Sequence, residues 1–324
     1  MRVLVTGGAG FIGSHLVDGF IADGHEVLVL DNLSSGRREQ VNNRAELAVV
    51  DLLDFDATDA TIASFRPDIV DHHAAQIDVR KSVADPAFDA QVNVLGSVNL
   101  LSSALRHGVR GVVFASSGGT VYGETPIPAR EDDAKAPISP YGAAKHSVEG
   151  YLFSFAAAGL PSVALRYGNV YGPRQDPRGE AGVISIFAGA MLHAETPTIF
   201  GSGNATRDYV MVSDVVAANR RAIEALLSGR EAPSVDDAAF NIGTGISTSV
   251  NDLYDLIARV SGFERPAIRG PERPGELQES QLNIGKAREL LAFAPRISLS
   301  DGIDATVHWL REARSDSDTS SDGS

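Results

Sequence analysis

Two residues one helical turn apart carry the clearest chemical signal in the chain. Tyr141 and Lys145 follow Ser139-Pro140. Serine suits an N-cap and proline a first helical position, so a helix is expected to start at Tyr141 or just before it. Spacing i, i+4 stacks the phenol and the ammonium on one face. A free phenol, with a pKa of about 10, is a poor base at neutral pH. A lysine ammonium and a cationic nicotinamide beside it both favour the phenolate. Together they would make a general base for a substrate hydroxyl. A further hydroxyl is offered by Ser116-Ser117, which close an apolar run. At the carboxyl end of a parallel strand such a group faces the ligand cleft. Ser117 is the first choice and Ser116 the runner-up.

The nicotinamide has its own signal. Residues 6–13 read TGGAGFIG, between an apolar run and a helical stretch. A pyrophosphate must approach backbone N–H groups at a helix N-terminus, and glycine leaves room for it. Gly7 serves the tight turn, Gly10 the close approach and Gly13 the helix-to-sheet contact. Asp31 ends the next strand, where a carboxylate accepts the adenine ribose hydroxyls and repels a 2′-phosphate. NAD is therefore expected rather than NADP. Arg37 and Arg38 follow a Ser-Ser-Gly turn and read as surface. Asp51 and Leu52 could cap the adenine. His72 and His73 are neighbours on a strand, so they point to opposite faces and cannot share an ion. Small Ala74 and Ala75 passing the cofactor is the better account, and no metal is expected.

The elements that must hold these residues alternate. Apolar runs at 3–5, 26–30, 48–50, 69–72, 112–115 and 163–166 read as strands, and 13–23, 59–64, 91–107 and 140–158 as helices. That order implies a doubly wound parallel (Rossmann) α/β sheet. Gly, Pro and Arg crowd 173–182, which suggests a crossing into a second, smaller mixed α/β domain. A helix at 213–227 and a strand at 240–242 return to the first; 249–260 and 284–291 read as further helices. The expected NAD-binding domain is 1–173 plus 210–245. The expected sugar-nucleotide domain is 174–209 plus 246–314. Residues 315–324 are Ser and Asp with one Thr and one Gly, composition that predicts a disordered tail.

Bulk composition narrows the classes. A net charge of −14 disfavours nucleic acid and anionic lipid as partners. The absence of cysteine excludes disulfides and thiolate chemistry and suits a reducing cytoplasm. No basic-then-apolar leader and no membrane-length apolar run is visible. An acidic protein that takes a diphosphate needs local arginines in its pocket.

The ordered motifs resemble the extended short-chain dehydrogenase/reductases, the NAD-dependent epimerase/dehydratase family. The resemblance runs from Met1 to about Arg311. It rests on TGGAGFIG, HHAAQ (72–76), SSGGTVYG (116–123), YGAAK (141–145), LRYGNVYGPRQ (165–175), FGSGNATRDYVMVSDV (200–215), FNIGTG (240–245) and RPGELQES (273–280). Within the family the likeness is to UDP-glucose 4-epimerases and similar sugar-nucleotide epimerases. It implies that Gly7, Gly10, Phe11, Ile12, Asp31, Asn32, Asp51 and Leu52 meet the adenosine and pyrophosphate. His73, Ala74, Ala75, Gln76, Asn93, Tyr167 and Val170 would line the rest of the NAD, and Ser117, Tyr141 and Lys145 would form the triad. Asn169, Val183, Phe200, Arg207, Tyr209, Val250, Arg273 and Glu276 would hold the nucleotide diphosphate. Ser280 would face the C2 substituent of the sugar, small enough to admit an N-acetyl group.

One departure concerns Ser117. Relatives have one residue fewer between the catalytic hydroxyl and the tyrosine of VYG, and counting back from Tyr122 reaches Gly118. Alignment from the strand side keeps Ser117, with the extra residue absorbed at Gly118-Gly119. Dehydrating relatives carry Asp-Glu after that hydroxyl, so the two glycines disfavour dehydration. The expected activity is NAD-dependent 4-epimerisation of a UDP-hexose through a transient 4-keto sugar. A UDP-glucuronate 4-epimerase is the nearest rival; a dehydratase or a non-catalytic NAD-sensing regulator stands further off. A homodimer is expected, because helices 91–107 and 140–158 are more apolar than one buried face requires. Tyr151, Leu152, Phe153 and Phe155 show this, and in the family two such helices per subunit form a four-helix bundle.

Overall fold

The computed structural model describes residues 1–125, 127–177, 182–272 and 277–321, with side chains as far as residue 313. The strands are β1 (Arg2–Thr6), β2 (Glu26–Asp31), β3 (Glu46–Val49), β4 (Ile69–His72), β5 (Gly111–Ser117), β6 (Ser162–Tyr167), β7 (Asn169–Tyr171), β8 (Thr198–Phe200), β9 (Thr206–Met211), β10 (Ala239–Ile242), β11 (Ser247–Ser249) and β12 (Ile268–Gly270). Seven of them form one sheet in the order β10-β6-β5-β4-β1-β2-β3, and every pairing in it is parallel. The expected doubly wound sheet is thus present. The order in which strands are added reverses between β1 and β4, and at such a switch point a crevice opens at the strands' carboxyl ends.

Both faces of the sheet are covered, which is why its strands read as continuous apolar runs. On one face Val3, Val5 and Val29 pack against Leu16, Val17 and Phe20 of α1 (Phe11–Ala22) and Val215 and Ala222 of a later helix, Val212–Leu227. On the other, Leu4 and Leu28 meet Ile62 and Phe65 of α2 (Phe55–Phe65). Leu100 and Leu101 of the helix Gly96–Arg106 and Val148 and Leu152 of the helix Pro140–Ala157 complete that layer. A third cluster lies apart, built on Ile184, Phe187, Met211, Leu253, Ile257, Ile303 and Val307. It stands with two small sheets, β11-β9-β7 and β12-β8.

Several elements differ from the sequence reading. The 59–64 helix begins at Phe55, because Asp54 caps it by accepting from Ala57 N. Two short helices, α3 (Val79–Ala84) and α4 (Pro86–Ala90), occupy a stretch without helical periodicity; Asp78 and Asp85 cap them. The 91–107 helix is divided into a π turn, Gln91–Leu95, and α5 (Gly96–Arg106). Helix α6 is Pro140–Ala157, α7 is Val183–Leu192 and α8 is Val212–Leu227. After α9 (Val235–Ala238), α10 (Val250–Ser261) and α11 (Gly285–Leu291), α12 runs Leu299–Ser321. It enters the segment expected to be disordered. Backbone hydrogen bonding propagates helix past the turns that Ile303 and Val307 anchor. Residues 322–324 lie outside the described ones.

Candidate active site

The glycine loop is shaped by contacts a side chain would destroy. Gly7 has φ +68°, and a Cβ on it would fall 2.7 Å from Ala74 N. A Cβ on Gly13 would strike Gly7 O at 2.1 Å, so the loop and α1 close tightly on each other. Gly10 is the N-cap of α1 and supplies no capping side chain, which leaves the helix's positive end to a ligand. A cleft of about 350 Å³ opens here. Gly7, Gly10, Phe11, Ile12, Gly13, Asp31, Asn32, Asp51 and Leu52 line one part of it. Asp31 is fixed by backbone donors, Ala9 N at 3.0 Å and Leu33 N at 2.8 Å. Asn32 Nδ2 donates to Asp51 at 2.9 Å.

Arg37 does not behave as bare surface. It lines the cleft and pairs with Asp176, while Gln40 Nε2 donates to Arg174 O at 3.4 Å. The segment 174–176 returns over the turn after β2, a tertiary contact that a Ser-Ser-Gly neighbourhood does not disclose.

His72 and His73 do point apart. The His72 ring bridges Thr6 Oγ1 at 2.7 Å and Ser97 Oγ at 2.9 Å. His73 meets Tyr167 and Asp71. His73, Ala74, Ala75 and Tyr167 line the cleft. Gln76 and Asn93 are instead turned to each other. Gln76 N donates to Asn93 Oδ1 at 2.8 Å and Asn93 Nδ2 to Gln76 O at 2.9 Å. Asp89 Oδ1 accepts from both side chains, at 2.9 and 3.0 Å. Sequence reasoning missed Asp89, because its partners are loop and π-turn residues. Val170 packs beside both the first and the third core cluster.

Tyr141 and Lys145 line the same cleft. Ser139 Oγ caps α6 by accepting from Gly142 N at 3.2 Å, and Pro140 occupies the first turn. Lys145 Nζ donates to Ala115 O at 2.8 Å and lies 5.7 Å from the centre of the Tyr141 ring. Burial lowers the Lys145 pKa to about 8 against the opposing pull of Asp89 and Glu149. Burial and the Asp89 carboxylate push the Tyr141 phenol well above its usual value. The depression expected from Lys145 together with a cationic nicotinamide is not present in the protein by itself, where burial of the phenol dominates.

Ser117 ends β5 opposite Tyr167. Ser116 is buried and donates to Glu149 Oε1 at 2.6 Å, so the runner-up is engaged in the core. A Cβ on Gly118 would meet Leu282 Cδ1 at 2.7 Å. A side chain at the position counted back from Tyr122 would require the end of Leu282 to shift; of the two serines present, Ser116 lines the cleft and Ser117 follows it at the end of β5.

Of the residues assigned to the nucleotide and sugar, Asn169, Arg207, Tyr209, Val250 and Ser280 lie on or beside β9. Asn169 faces Tyr209 in register, Arg207 faces Thr248, and Ser280 N donates to Thr206 O at 3.1 Å. Arg207 Nη1 donates to Thr206 O at 2.8 Å. Val183 and Val250 open α7 and α10, and Phe200 ends β8 half-exposed. Arg273 and Glu276 lie outside the described residues. Among the described residues, no three His, Asp or Glu converge as a metal site, and no helix is long and apolar enough to cross a membrane.

A parallel sheet with a glycine loop, a fixed carboxylate at the end of β2 and a Tyr–Lys pair in one cleft has the form of a dinucleotide enzyme of the short-chain type. Residues 3–243 match the model of the NAD dependent epimerase/dehydratase family, and the chain belongs to it. It is 46% identical to the UDP-glucose 4-epimerase of Mycolicibacterium smegmatis over 96% of this chain and 99% of that one. The Thermotoga maritima UDP-glucose 4-epimerase, solved with UDP-glucose, superimposes with a TM-score of 0.92 at 44% identity, over 97% of this chain and 100% of that one. A UDP-N-acetylglucosamine 4-epimerase from Methanobrevibacter ruminantium, solved with UDP-N-acetylmuramic acid, gives 0.88 at 36% identity, over 96% and 98%.

Proposed function

We propose that the chain interconverts UDP-glucose and UDP-galactose by NAD-dependent epimerisation at C4. The observation that carries this reading is a single cleft with the glycine loop and Asp31 at one end and Tyr141–Lys145 at the other. The residues present fit NAD: a glycine turn packed backbone to backbone against Ala74, an uncapped helix N-terminus and a fixed carboxylate, all on one cleft. When bound, NAD supplies reversible uptake of the C4 hydrogen.

The chain's own residues do the rest. Tyr141 takes the 4-OH proton and later returns it. Its raised pKa means the phenolate needs cationic help, from Lys145 and from the nicotinamide. Lys145 is held over Phe114 and the Tyr141 ring by Ala115 O. Ser117 orients the reacting hydroxyl. Arg207 and Arg273 grip the diphosphate, with Phe200 and Val250 beside the base. The 4-keto sugar turns over within this pocket before the hydrogen is returned. Gly118-Gly119 offer no acid for water loss, which disfavours dehydration. The domain division at 173/174, 209/210 and 245/246 follows the same reading, and the lack of cysteine suits a reducing, cytoplasmic setting.

The test is conversion of UDP-galactose by wild type and Tyr141→Phe. Wild type should reach a UDP-glucose/UDP-galactose equilibrium. The variant should lose about 10²–10⁴-fold in turnover, the range for a general base, and still hold NAD. Near-normal turnover in the variant would remove Tyr141 from the mechanism.

A further inference from the structure

Tyr141, the base of the proposed mechanism, stands in the first turn of α6, where backbone donors need partners from outside the helix. Pro140 before it has no N–H. Gly142 N is taken by Ser139 Oγ at 3.2 Å and Ala143 N by Ser139 O at 3.0 Å. That leaves the N–H of Tyr141 itself. It donates to Ser82 Oγ of α3 at 3.2 Å, 59 residues earlier in the chain.

Ser82 has no solvent exposure and is the one buried residue of α3, whose Val79 and Val83 face outward. Its own proton goes to Val79 O at 2.6 Å, so its oxygen is left to accept from Tyr141. A serine bonding back to a carbonyl of its own helix is ordinary; the bond to Tyr141 is the one that crosses between elements. A helix of six residues does not hold its place by itself. At its start, Asp78 N donates to Gln76 Oε1 at 2.6 Å, and Gln76 Nε2 donates to Asp78 O at 2.9 Å. Helix α3 therefore runs from the loop after β4, which carries Ala74 and Ala75 into the cleft, to the backbone of Tyr141. From another side the turn meets Thr120, whose carbonyl oxygen would lie 2.7 Å from a Cβ on Gly142.

The phenol of a general base must come within hydrogen-bond reach of the proton it takes. Lys145, one turn further along, is fixed separately by Ala115 O. A first turn free to fray would carry the phenol away from that ammonium. We propose that Ser82 is a positioning residue: by accepting from the Tyr141 amide it locks the first turn of α6 and sets the phenol where it can take the sugar's proton. The inference rests on the functional reading above, which makes Tyr141 the base.

The test compares wild type, Ser82→Ala and Ser82→Thr, each as the NAD-loaded protein with UDP-galactose. Ser82→Ala removes the acceptor without adding volume. Its kcat should fall roughly 10–10²-fold, the scale of a small misplacement at a reacting group. KM and retained NAD should stay at the wild-type level, because no contact to either is removed. Hydrogen exchange, read by mass spectrometry on the peptide that bears Tyr141, should quicken. Ser82→Thr keeps the hydroxyl and adds a methyl group to a buried site. An acceptor role ranks its kcat above that of Ser82→Ala; a packing role ranks it below, because the extra methyl overfills the site. If Ser82→Thr does not fold, the split between kcat and KM in Ser82→Ala decides. Wild-type kcat in Ser82→Ala, a loss carried by KM, or a folded Ser82→Thr no better than Ser82→Ala overturns this inference alone. A wild type that does not turn over UDP-galactose overturns the functional reading and this inference with it.

Discussion

In the proposed mechanism Lys145 is the residue on which the proton chemistry turns. Its pKa near 8 means that the ammonium is present below that pH and lost above it. Turnover should therefore fall as pH rises through about 8. Lys145→Met should lose activity, and the remaining rate should show no step there. A variant that kept both the height and the alkaline fall of the wild-type profile would free Lys145 of this role. Ser280 lies beside Thr206 of β9. A small side chain leaves room for a C2 acetamido group, so the enzyme should accept UDP-N-acetylglucosamine as well as UDP-glucose. Ser280→Tyr should abolish the first activity and spare the second in steady-state assays. If both fall together, or wild type ignores the N-acetylated sugar, Ser280 is not the gate. The residues most legible in the sequence are those whose partners are local: the Tyr141–Lys145 pair needs one helical turn, and Gly7 to Gly13 one strand-to-helix turn. Asp89 and Arg37 were not legible as site residues, because Asp89 meets Gln76, and Arg37 meets Asp176, only when separate loops come together.

Helix α6 is anchored to the sheet by a buried network. Arg166 of β6 is wholly buried and forks onto Glu149, with contacts of 2.9 and 2.7 Å. Ser116 of β5 adds a third bond to the same carboxylate. Glu149 follows Lys145 by one turn, so the network also fixes the catalytic pair. Burial would raise the Glu149 pKa, but hydrogen bonds from His146 and Arg166 and the Arg166 charge outweigh it and hold the value at about 2. A depressed carboxylate stabilises the fold above its unfolded pKa of about 4.3, and that contribution is lost as pH falls toward 2. Glu149→Gln leaves Arg166 with only Asp236, at 3.1 Å and more than a third exposed, as counter-charge and should cost up to about 3–5 kcal/mol, read by denaturant melts at neutral pH. The cost should shrink as pH is lowered below about 4. Cost independent of pH would mean that packing, and not charge, makes the anchor. At this scale the sheet strands were legible, because two covered faces impose unbroken apolar runs. The helices α3 and α4 were not, since five or six residues behind an aspartate cap carry no measurable period.

The whole molecule leaves apolar side chains uncovered on one flank. Val83 of α3, Leu95 of the π turn and Tyr151 of α6 are exposed at 62%, 50% and 44%, while Leu152 and Phe155 turn into the core. Apolar groups of this size on adjoining helices suit a second copy of the chain. The protein should run as a dimer in light scattering at micromolar concentration, and Tyr151→Glu should shift it to monomer. A monomeric wild type would discard this assembly. In the proposed function the third cluster belongs to the sugar-nucleotide side, and the central claim of that proposal is that the sugar is oxidised and reduced at C4 without exchange. The most direct measurement uses UDP-glucose deuterated at C4 with the NAD-loaded protein. The account predicts UDP-galactose that keeps the deuterium at C4. Deuterium lost to solvent, epimerisation elsewhere on the ring, or no conversion at all would contradict it.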